Sequence, residues 1–317
     1  MKTKRMIITG PLGHIGSEFI RNLKSNTFSE VILFDNFLTQ RYCSLFNLPG
    51  NIPFRFIEGD IRSFDFFELL KEIDLVVHFA AITDATNSFN SAELVNEVNY
   101  SATIRLAEAC IVNNCKLLYF STTSVYGVSS DLVDENCTED MLKPQSPYAQ
   151  SKLNAEKQLF KMGKEEGLKY TILRLGTIYG TSIGMRFHTA VNKFCFQAVI
   201  GQPLTVWRTA INQKRPYLSL NEAISAIQFV IEKDHFENQL YNVVTSNSTV
   251  NEILTCIKEF IPNLSIIEVE TKIMNQLSYE VSNKKIKALG FEFNGELRNG
   301  IAETINLLKG ANHYQSN

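Results

Sequence analysis

Met6-Ile7-Ile8 is an apolar run followed at once by Thr9-Gly10-Pro11-Leu12-Gly13-His14-Ile15-Gly16-Ser17, with glycines at 10, 13 and 16. Few folds accept that order. Glycines gather wherever a strand turns sharply, so the spacing alone suits a tight turn as well as a phosphate cradle. The context favours the cradle. Ile15, Phe19, Ile20 and Leu23 recur at helical spacing, which sets backbone N–H groups at a helix N-terminus where an anion can be held. A second apolar run, Val31-Ile32-Leu33-Phe34, then ends in Asp35, 19 residues after Gly16. A dinucleotide-binding unit places there the carboxylate that accepts from the adenosine ribose, although Asp at that point also suits a turn. Pro11 has no N–H, so the cradle's donors fall to neighbours such as His14 and Ile15. The His14 side chain itself is read as a loop group with no chemical role.

Further apolar runs at 54–58, 75–81, 117–121 and 171–175 alternate with helical patterns. This predicts an α/β fold with a doubly wound parallel sheet, Rossmann-like, whose ligands lie beyond the carboxyl ends of the strands. After about residue 176 the pattern is less regular. A helix over about 187–200, a strand at 204–207 and a polar loop at 208–215 come first, and a strand and helix over 217–232 read as a return to the sheet. Thr249 with Glu252 forms a capping box that opens a helix running to about 261. The expected division is a nucleotide-binding domain of 1–176 plus about 216–240, and a smaller α/β substrate lobe of about 177–215 plus 241–317. Residues 313–317 read as a frayed tail.

With 317 residues, 44% of them hydrophobic, the chain can bury a large core. Its formal net charge of −2 argues against nucleic acid or a membrane surface as main partner. No apolar run approaches the roughly 18 residues of a membrane span, and the basic start Met1-Lys2-Thr3-Lys4-Arg5 leads into a strand too short for a signal segment, so a cytoplasmic location is expected. The six cysteines, at 43, 110, 115, 137, 195 and 256, include no C-x-x-C pair and no metal-like spacing to histidine. Reduced thiols and no metal site are expected.

Residues 148–152 read YAQSK. At helical spacing Tyr148 and Lys152 share one face, and Pro147 suits the first turn of such a helix. A solvated surface pair would look the same. Upstream, however, the apolar strand 117–121 ends in Ser121-Thr122-Thr123-Ser124, hydroxyls that can donate to a ligand oxygen or satisfy a turn. Glycine run, hydroxyl cluster and Tyr-x-x-x-Lys together resemble the extended short-chain dehydrogenase/reductases, and within them the nucleotide-sugar epimerase/dehydratase family.

The resemblance spans nearly the whole chain and is most specific in the first 180 residues. It implies NAD as cofactor, held by Gly10, Gly13, His14, Ile15 and Gly16 at the cradle, and by Asp35 and Asn36 at the ribose. GDI (59–61) is similar to the family's adenine-contacting segment, which assigns Asp60 and Ile61. VVHFAA (76–81) is similar to the strand beside the cofactor, which assigns Phe79, Ala80 and Ala81. Asn99 in VNYSAT matches the residue that begins a family helix. Tyr148 and Lys152 complete the cofactor set. On the substrate side, LRLGTIYG (173–180) resembles the strand beneath the sugar and assigns Thr177. RPYLSLNEA (215–223) brings Arg215 to a substrate phosphate. Thr83, Thr123, Ser124, Arg186 and Asn192 are further substrate candidates, and SNKKIKALGF (282–291) is similar to the closing motif of the second lobe.

An alcohol gives up hydride only as its proton leaves, so a base must sit beside it. Tyrosine, with a pKa of about 10, is a poor base at neutral pH unless a nearby cation lowers that value. Tyr148 is the expected base, with Lys152 one helical turn away as the cation that lowers its pKa together with the oxidised nicotinamide and as a ribose ligand, and Thr122 holding the reacting oxygen. Family dehydratases carry Asp-Glu after that threonine, and decarboxylases a Glu two residues after it. Here Thr123 and Ser124 stand at those positions, which argues against both reactions. Thr83 stands where UDP-galactose 4-epimerases have Lys, and Thr177 where Asn is common, so the usual UDP-glucose substrate is in doubt. The expected function is an NAD-dependent nucleotide-sugar epimerase acting at C4. A 4-dehydrogenase or 4-ketoreductase with net redox change uses the same residues, and a catalytically silent NAD-binding protein is the reading of another class. Apolar residues beyond one stripe on helices near 91–113 and 146–166 suit a homodimer.

Overall fold

An uninterrupted apolar run makes a strand that can be buried on both faces, and the central strands of this protein alternate between two cores. Met6, Ile8, Val31, Leu33, Leu118 and Leu173 point to one, shared with Phe19 and Ile20. Ile7, Ile32, Val76, Leu117 and Ile172 point to the other, shared with Leu106 and Leu159. The structure is a computed structural model and describes residues 4–24, 27–127, 132–270 and 278–311; the predicted tail at 313–317 lies outside these.

In chain order the strands are β1 (Lys4–Thr9), β2 (Phe28–Asp35), β3 (Phe54–Glu58), β4 (Leu75–His78), β5 (Lys116–Thr122), β6 (Leu132–Val133), β7 (Lys169–Leu175), β8 (Thr177–Tyr179), β9 (Leu204–Trp207), β10 (Lys214–Ser219), β11 (Gln239–Val243), β12 (Ser246–Thr249), β13 (Ile266–Val269) and β14 (Glu280–Val281). Seven of them form one sheet in the order β11-β7-β5-β4-β1-β2-β3, all parallel. The helices His14–Arg21 and Leu220–Glu232 supply one face. The helices Ala102–Asn113 and Pro147–Glu165 supply the other. This is the doubly wound, Rossmann-like sheet expected from the alternation of runs.

The strand expected to return to that sheet does not. β10 pairs parallel with β8 and antiparallel with β12 in a separate three-stranded sheet. Gly176 sits between β7 and β8, and its N–H donates to Val243 O (3.0 Å). The chain breaks there, β11 takes the edge beside β7, and β8 leaves the sheet with β10 at its side. A third core, with Tyr179, Val191, Phe194, Ile253 and Ile301, packs the helices Ala190–Val199, Val250–Phe260 and Leu297–Leu308 together. The capping box of Thr249 and Glu252 is formed. Among the described residues no helix is long and apolar enough to cross a membrane. Nor does any group of three or more His, Cys, Asp or Glu among them have the arrangement of a metal site.

One ion pair lies in the interior. Arg174 on β7 makes a two-pronged contact with Glu156, Nε to Oε1 at 2.9 Å and Nη2 to Oε2 at 2.5 Å, and its Nη1 donates to the Tyr126 hydroxyl (2.9 Å). Glu156 is fully buried and Arg174 nearly so. Removing one partner of such a pair strands a buried charge, which costs about 3–5 kcal/mol. Glu156→Leu is therefore expected to lower the stability measured by urea denaturation by about that much. The double variant Glu156→Leu/Arg174→Met should lose less than the sum of the two single changes.

Candidate active site

A cleft of about 510 Å³ opens at the carboxyl ends of β1, β4, β5 and β7, on both sides of the point where strand order reverses. Its floor begins at the glycine-rich turn. Gly10 has φ +69°, and a Cβ there would lie 2.6 Å from Ala80 N; a Cβ on Gly16 would lie 2.7 Å from Gly10 O. Only glycine fits at either position. Gly13 opens the helix His14–Arg21 with no side-chain cap, so the first-turn N–H groups face the cleft without intrahelical partners.

Asp35 lines the same cleft at the end of β2. Its Oδ1 accepts from Phe37 N–H (3.0 Å) and its Oδ2 from Leu12 N–H (3.3 Å), so it also braces the turn. Burial raises its pKa and those N–H bonds oppose the rise. Asn36 bonds Asp60, which is held below the usual carboxylate range first by its hydrogen bond to Arg62. Ile61, Phe79, Ala80 and Ala81 supply apolar wall. Three lining residues carry a buried polar atom with no protein partner: His14 Nε2, Arg41 Nη2 and Ser121 Oγ. Buried polar groups are otherwise satisfied. A cradle that excludes any Cβ, uncapped helix N–H groups, a terminal carboxylate and orphaned donors together fit an anionic, hydroxyl-bearing dinucleotide.

The groups expected to react come from two elements. Thr122 ends β5, and its Oγ1 accepts from Ser124 N–H (3.1 Å). Tyr148 and Lys152 lie on the helix Pro147–Glu165, which starts where Ser146 Oγ accepts from Ala149 N–H (3.2 Å). Tyr148 and Thr122 line the same cleft, and Thr122 acts to lower the Tyr148 pKa. Lys152, almost wholly buried, sits with Nζ 4.7 Å from the centre of the Tyr119 ring. Burial pushes the Tyr148 phenol up to about 12, against the opposing effect of Thr122. Burial also pulls Lys152 down to about 7, against the opposing charge of Glu156. The expected lowering of Tyr148 by Lys152 together with the oxidised nicotinamide concerns the cofactor-bound site; the residues of the chain alone set a raised phenol and a lowered amine in one cleft. Desolvation disfavours both charged forms.

Thr83, Ser124, Thr177 and Arg186 also line the cleft, and Arg186 Nη2 donates to Thr83 Oγ1 (2.7 Å). Four other candidates stand outside its lining. Asn99 is fully buried, accepts from Ile82 N–H (2.8 Å) and donates to Ile82 O (2.9 Å), so it clamps the loop that follows β4. Thr123 Oγ1 donates to Leu175 O (3.3 Å). Asn192 accepts from Gly180 N–H (3.1 Å) and donates to Gly180 O (3.0 Å). The Arg215 guanidinium lies 5.6 Å from the centre of the Tyr279 ring, whose hydroxyl donates to Thr123 O (3.2 Å). Each has a packing role that its residue type did not announce.

Arg41, Asp84 and His188 line the cleft without having been anticipated. Arg41 follows a turn with positive φ at Phe37 and Gln40, and a cation six residues past the terminal acid was the one available signal. His78, on β4 beneath the cleft, meets Thr9 Oγ1 at 2.6 Å and Thr103 Oγ1 at 2.9 Å. Burial lowers it to about 3, so it is a neutral strut.

The chain is 30% identical to a trifunctional UDP-glucose 4,6-dehydratase/UDP-4-keto-6-deoxy-D-glucose 3,5-epimerase/UDP-4-keto-L-rhamnose-reductase of Arabidopsis thaliana, over 96% of this chain but only 47% of that protein. It thus spans about half the length of that plant relative. It is 28% identical to an uncharacterized UDP-glucose epimerase of Bacillus subtilis (strain 168), over 95% of this chain and 96% of the other. The structure of Thermus thermophilus UDP-glucose 4-epimerase in complex with NAD superposes with a TM-score of 0.81 at 26% identity, covering 97% of this chain and 99% of that one. Residues 6–243 match the family model, and the chain belongs to the NAD dependent epimerase/dehydratase family.

Proposed function

We propose that this protein is a nucleotide-sugar epimerase that oxidises and re-reduces C4 of a nucleotide-activated hexose. The observation that carries the reading is that Tyr148, Lys152 and Thr122 line one cleft, with Lys152 one helical turn along from Tyr148 and no carboxyl group at the two positions after Thr122. NAD bound in the cleft would supply a reversible hydride acceptor for C4 and a positive charge on its oxidised ring. Gly10, Gly13 and Gly16 with the N–H groups of His14 and Ile15 would hold its phosphates, and Asp35 its ribose.

Tyr148 takes the proton of the C4 hydroxyl and gives it back after the sugar has turned over. Thr122 fixes that oxygen against the phenol, so that the proton moves along an existing hydrogen bond. Lys152 stabilises the phenolate and bonds the cofactor ribose. Asp84, a carboxylate in the cleft, accepts from Asn87 N–H (2.9 Å) and Asn87 Nδ2 (2.7 Å) and so is already engaged. Elimination of water across C5 and C6 needs one group to take a proton and another to give one, and Thr123 and Ser124 have hydroxyls far too weakly acidic for either task. A homodimer belongs to the same reading; exposed Leu94, Val112 and Phe160 on the helices Ala92–Asn96, Ala102–Asn113 and Pro147–Glu165 support it.

Three outcomes are expected. Tyr148→Phe should cut turnover by roughly 10² or more with little change in NAD affinity, whereas Lys152→Met should reduce both; turnover close to wild type in Tyr148→Phe refutes the assignment. In titrations at one ionic strength NAD should bind at least about tenfold more tightly than NADP, because a carboxylate at the ribose repels a 2′-phosphate. Asp35→Asn should narrow that gap. Finally, incubation with UDP-glucose, UDP-glucuronic acid and dTDP-glucose in deuterium oxide should give a C4 epimer that retains its C4 hydrogen, with no 6-deoxy product and no solvent deuterium at C5 or C6. NMR of the products decides the point. A 6-deoxy signal would mark a dehydratase, NADH accumulating with product a net dehydrogenase, and NAD binding without turnover on any of the three a silent binder.

A further inference from the structure

The loop 181–188, which carries Arg186, is fastened to the glycine-rich turn from 168 residues away in the chain. A Cβ added at Gly184 would fall 2.6 Å from Ser17 Oγ and 2.7 Å from Gly13 O, so the loop lies directly on the cradle. Gly184 N–H donates to Ser17 Oγ (3.0 Å), Ser17 Oγ reaches Ser182 Oγ (3.3 Å), and Ser182 Oγ meets His14 Nδ1 at 2.7 Å. Ser17 Oγ also lies 3.2 Å from His14 O, which competes for its single proton. The other ring nitrogen, His14 Nε2, is buried with no partner on a side chain that lines the cleft.

We propose that His14 is a positioning residue that joins the cradle to the 181–188 loop through Ser182 and, by its opposite ring nitrogen, donates to a phosphate oxygen of the dinucleotide held there. A phosphate oxygen only accepts, so Nε2 carries the proton and Nδ1 accepts from the Ser182 hydroxyl. The chain of bonds then runs in one sense, from Gly184 N–H through Ser17 and Ser182 to His14, and leaves Nε2–H for the ligand. Burial, with His188, Arg41 and Arg186 close by, lowers His14 to about 4, so the ring is neutral at working pH and has the one donor and one acceptor that this needs. An occupied cradle thus fixes the ring, and the ring fixes the loop that presents Arg186. The inference rests on reading the glycine-rich turn as the NAD site.

The test is hydrogen exchange of the backbone amides of 182–187, read by mass spectrometry with and without saturating NAD, alongside NAD titrations, in wild type, His14→Phe and Ser182→Ala. In the wild type NAD should slow exchange of this segment at least about fivefold. Both variants should lose most of that protection while exchange in β1 stays unchanged, which separates a lost fastening from general unfolding. NAD affinity should fall about three- to tenfold in His14→Phe, which loses the phosphate contact, and stay within about twofold in Ser182→Ala, which keeps it. Unaltered protection of 182–187 in both variants overturns the inference while leaving the cofactor site intact. Failure of the wild-type protein to bind NAD overturns the cradle reading and this inference with it.

Discussion

The parallel pairing of β1 with β4 is the contact from which the rest of the site is measured. Both strands are buried on both faces, and where they end the backbones approach so closely that a single Cβ at Gly10 would collide with Ala80. Polar side chains carry that alignment outward. Thr9 holds His78, His78 holds Thr103, and Thr103 Oγ1 donates to Asn99 O (2.9 Å). Asn99 Nδ2 donates to Ser151 Oγ (3.2 Å), which donates to Tyr148 O (2.8 Å). An unbroken run of bonds therefore connects the end of β1 to the helical turn that carries Tyr148. The chain makes room for it with a π-helical turn, Glu97–Ser101, around Asn99, a local distortion of the kind found beside functional sites.

That run also explains which parts of the molecule were legible in the sequence. Met6–Ile8, Val31–Phe34 and the YAQSK helix carry their own periodicity, and hydrophobic runs, glycine spacing and the i, i+4 rule are local signals. The helix over 91–113 reads as continuous by the same rules, yet it changes hand-hold at Glu97–Ser101 because Asn99 is pulled towards Ile82 and Ser151. Nothing local to residues 97–101 announces a partner 52 residues away. The placement of β10 failed for a similar reason. A short apolar strand can join any sheet that offers an edge, and here β11 occupies the edge beside β7 while β10 pairs with β8. Arg41 and His188 enter the cleft by tertiary position alone, so type and spacing carried little sign of them.

Burial sets the chemical character of the site. Lys152 and Tyr148 are both removed from water, and the desolvation that closes the cleft to solvent also raises the phenol and lowers the amine. Glu156 works against the second effect from one turn further along the same helix, but it shares its charge with Arg174, which grips it with two nitrogens. The pair Arg174–Glu156 thus holds the helix to β7 while leaving Lys152 only weakly biased towards its cation.

Packing also fixes the turn after β5. Thr123 is almost wholly buried, and its hydroxyl is committed to the carbonyl of Leu175, which ties the end of β5 to the end of β7. Tyr279 closes the other side by donating to the Thr123 carbonyl. A carboxylate at position 123 would set acceptor against acceptor at Leu175 O and would lie where no water can compensate it. Thr123 therefore serves the join between the ends of β5 and β7.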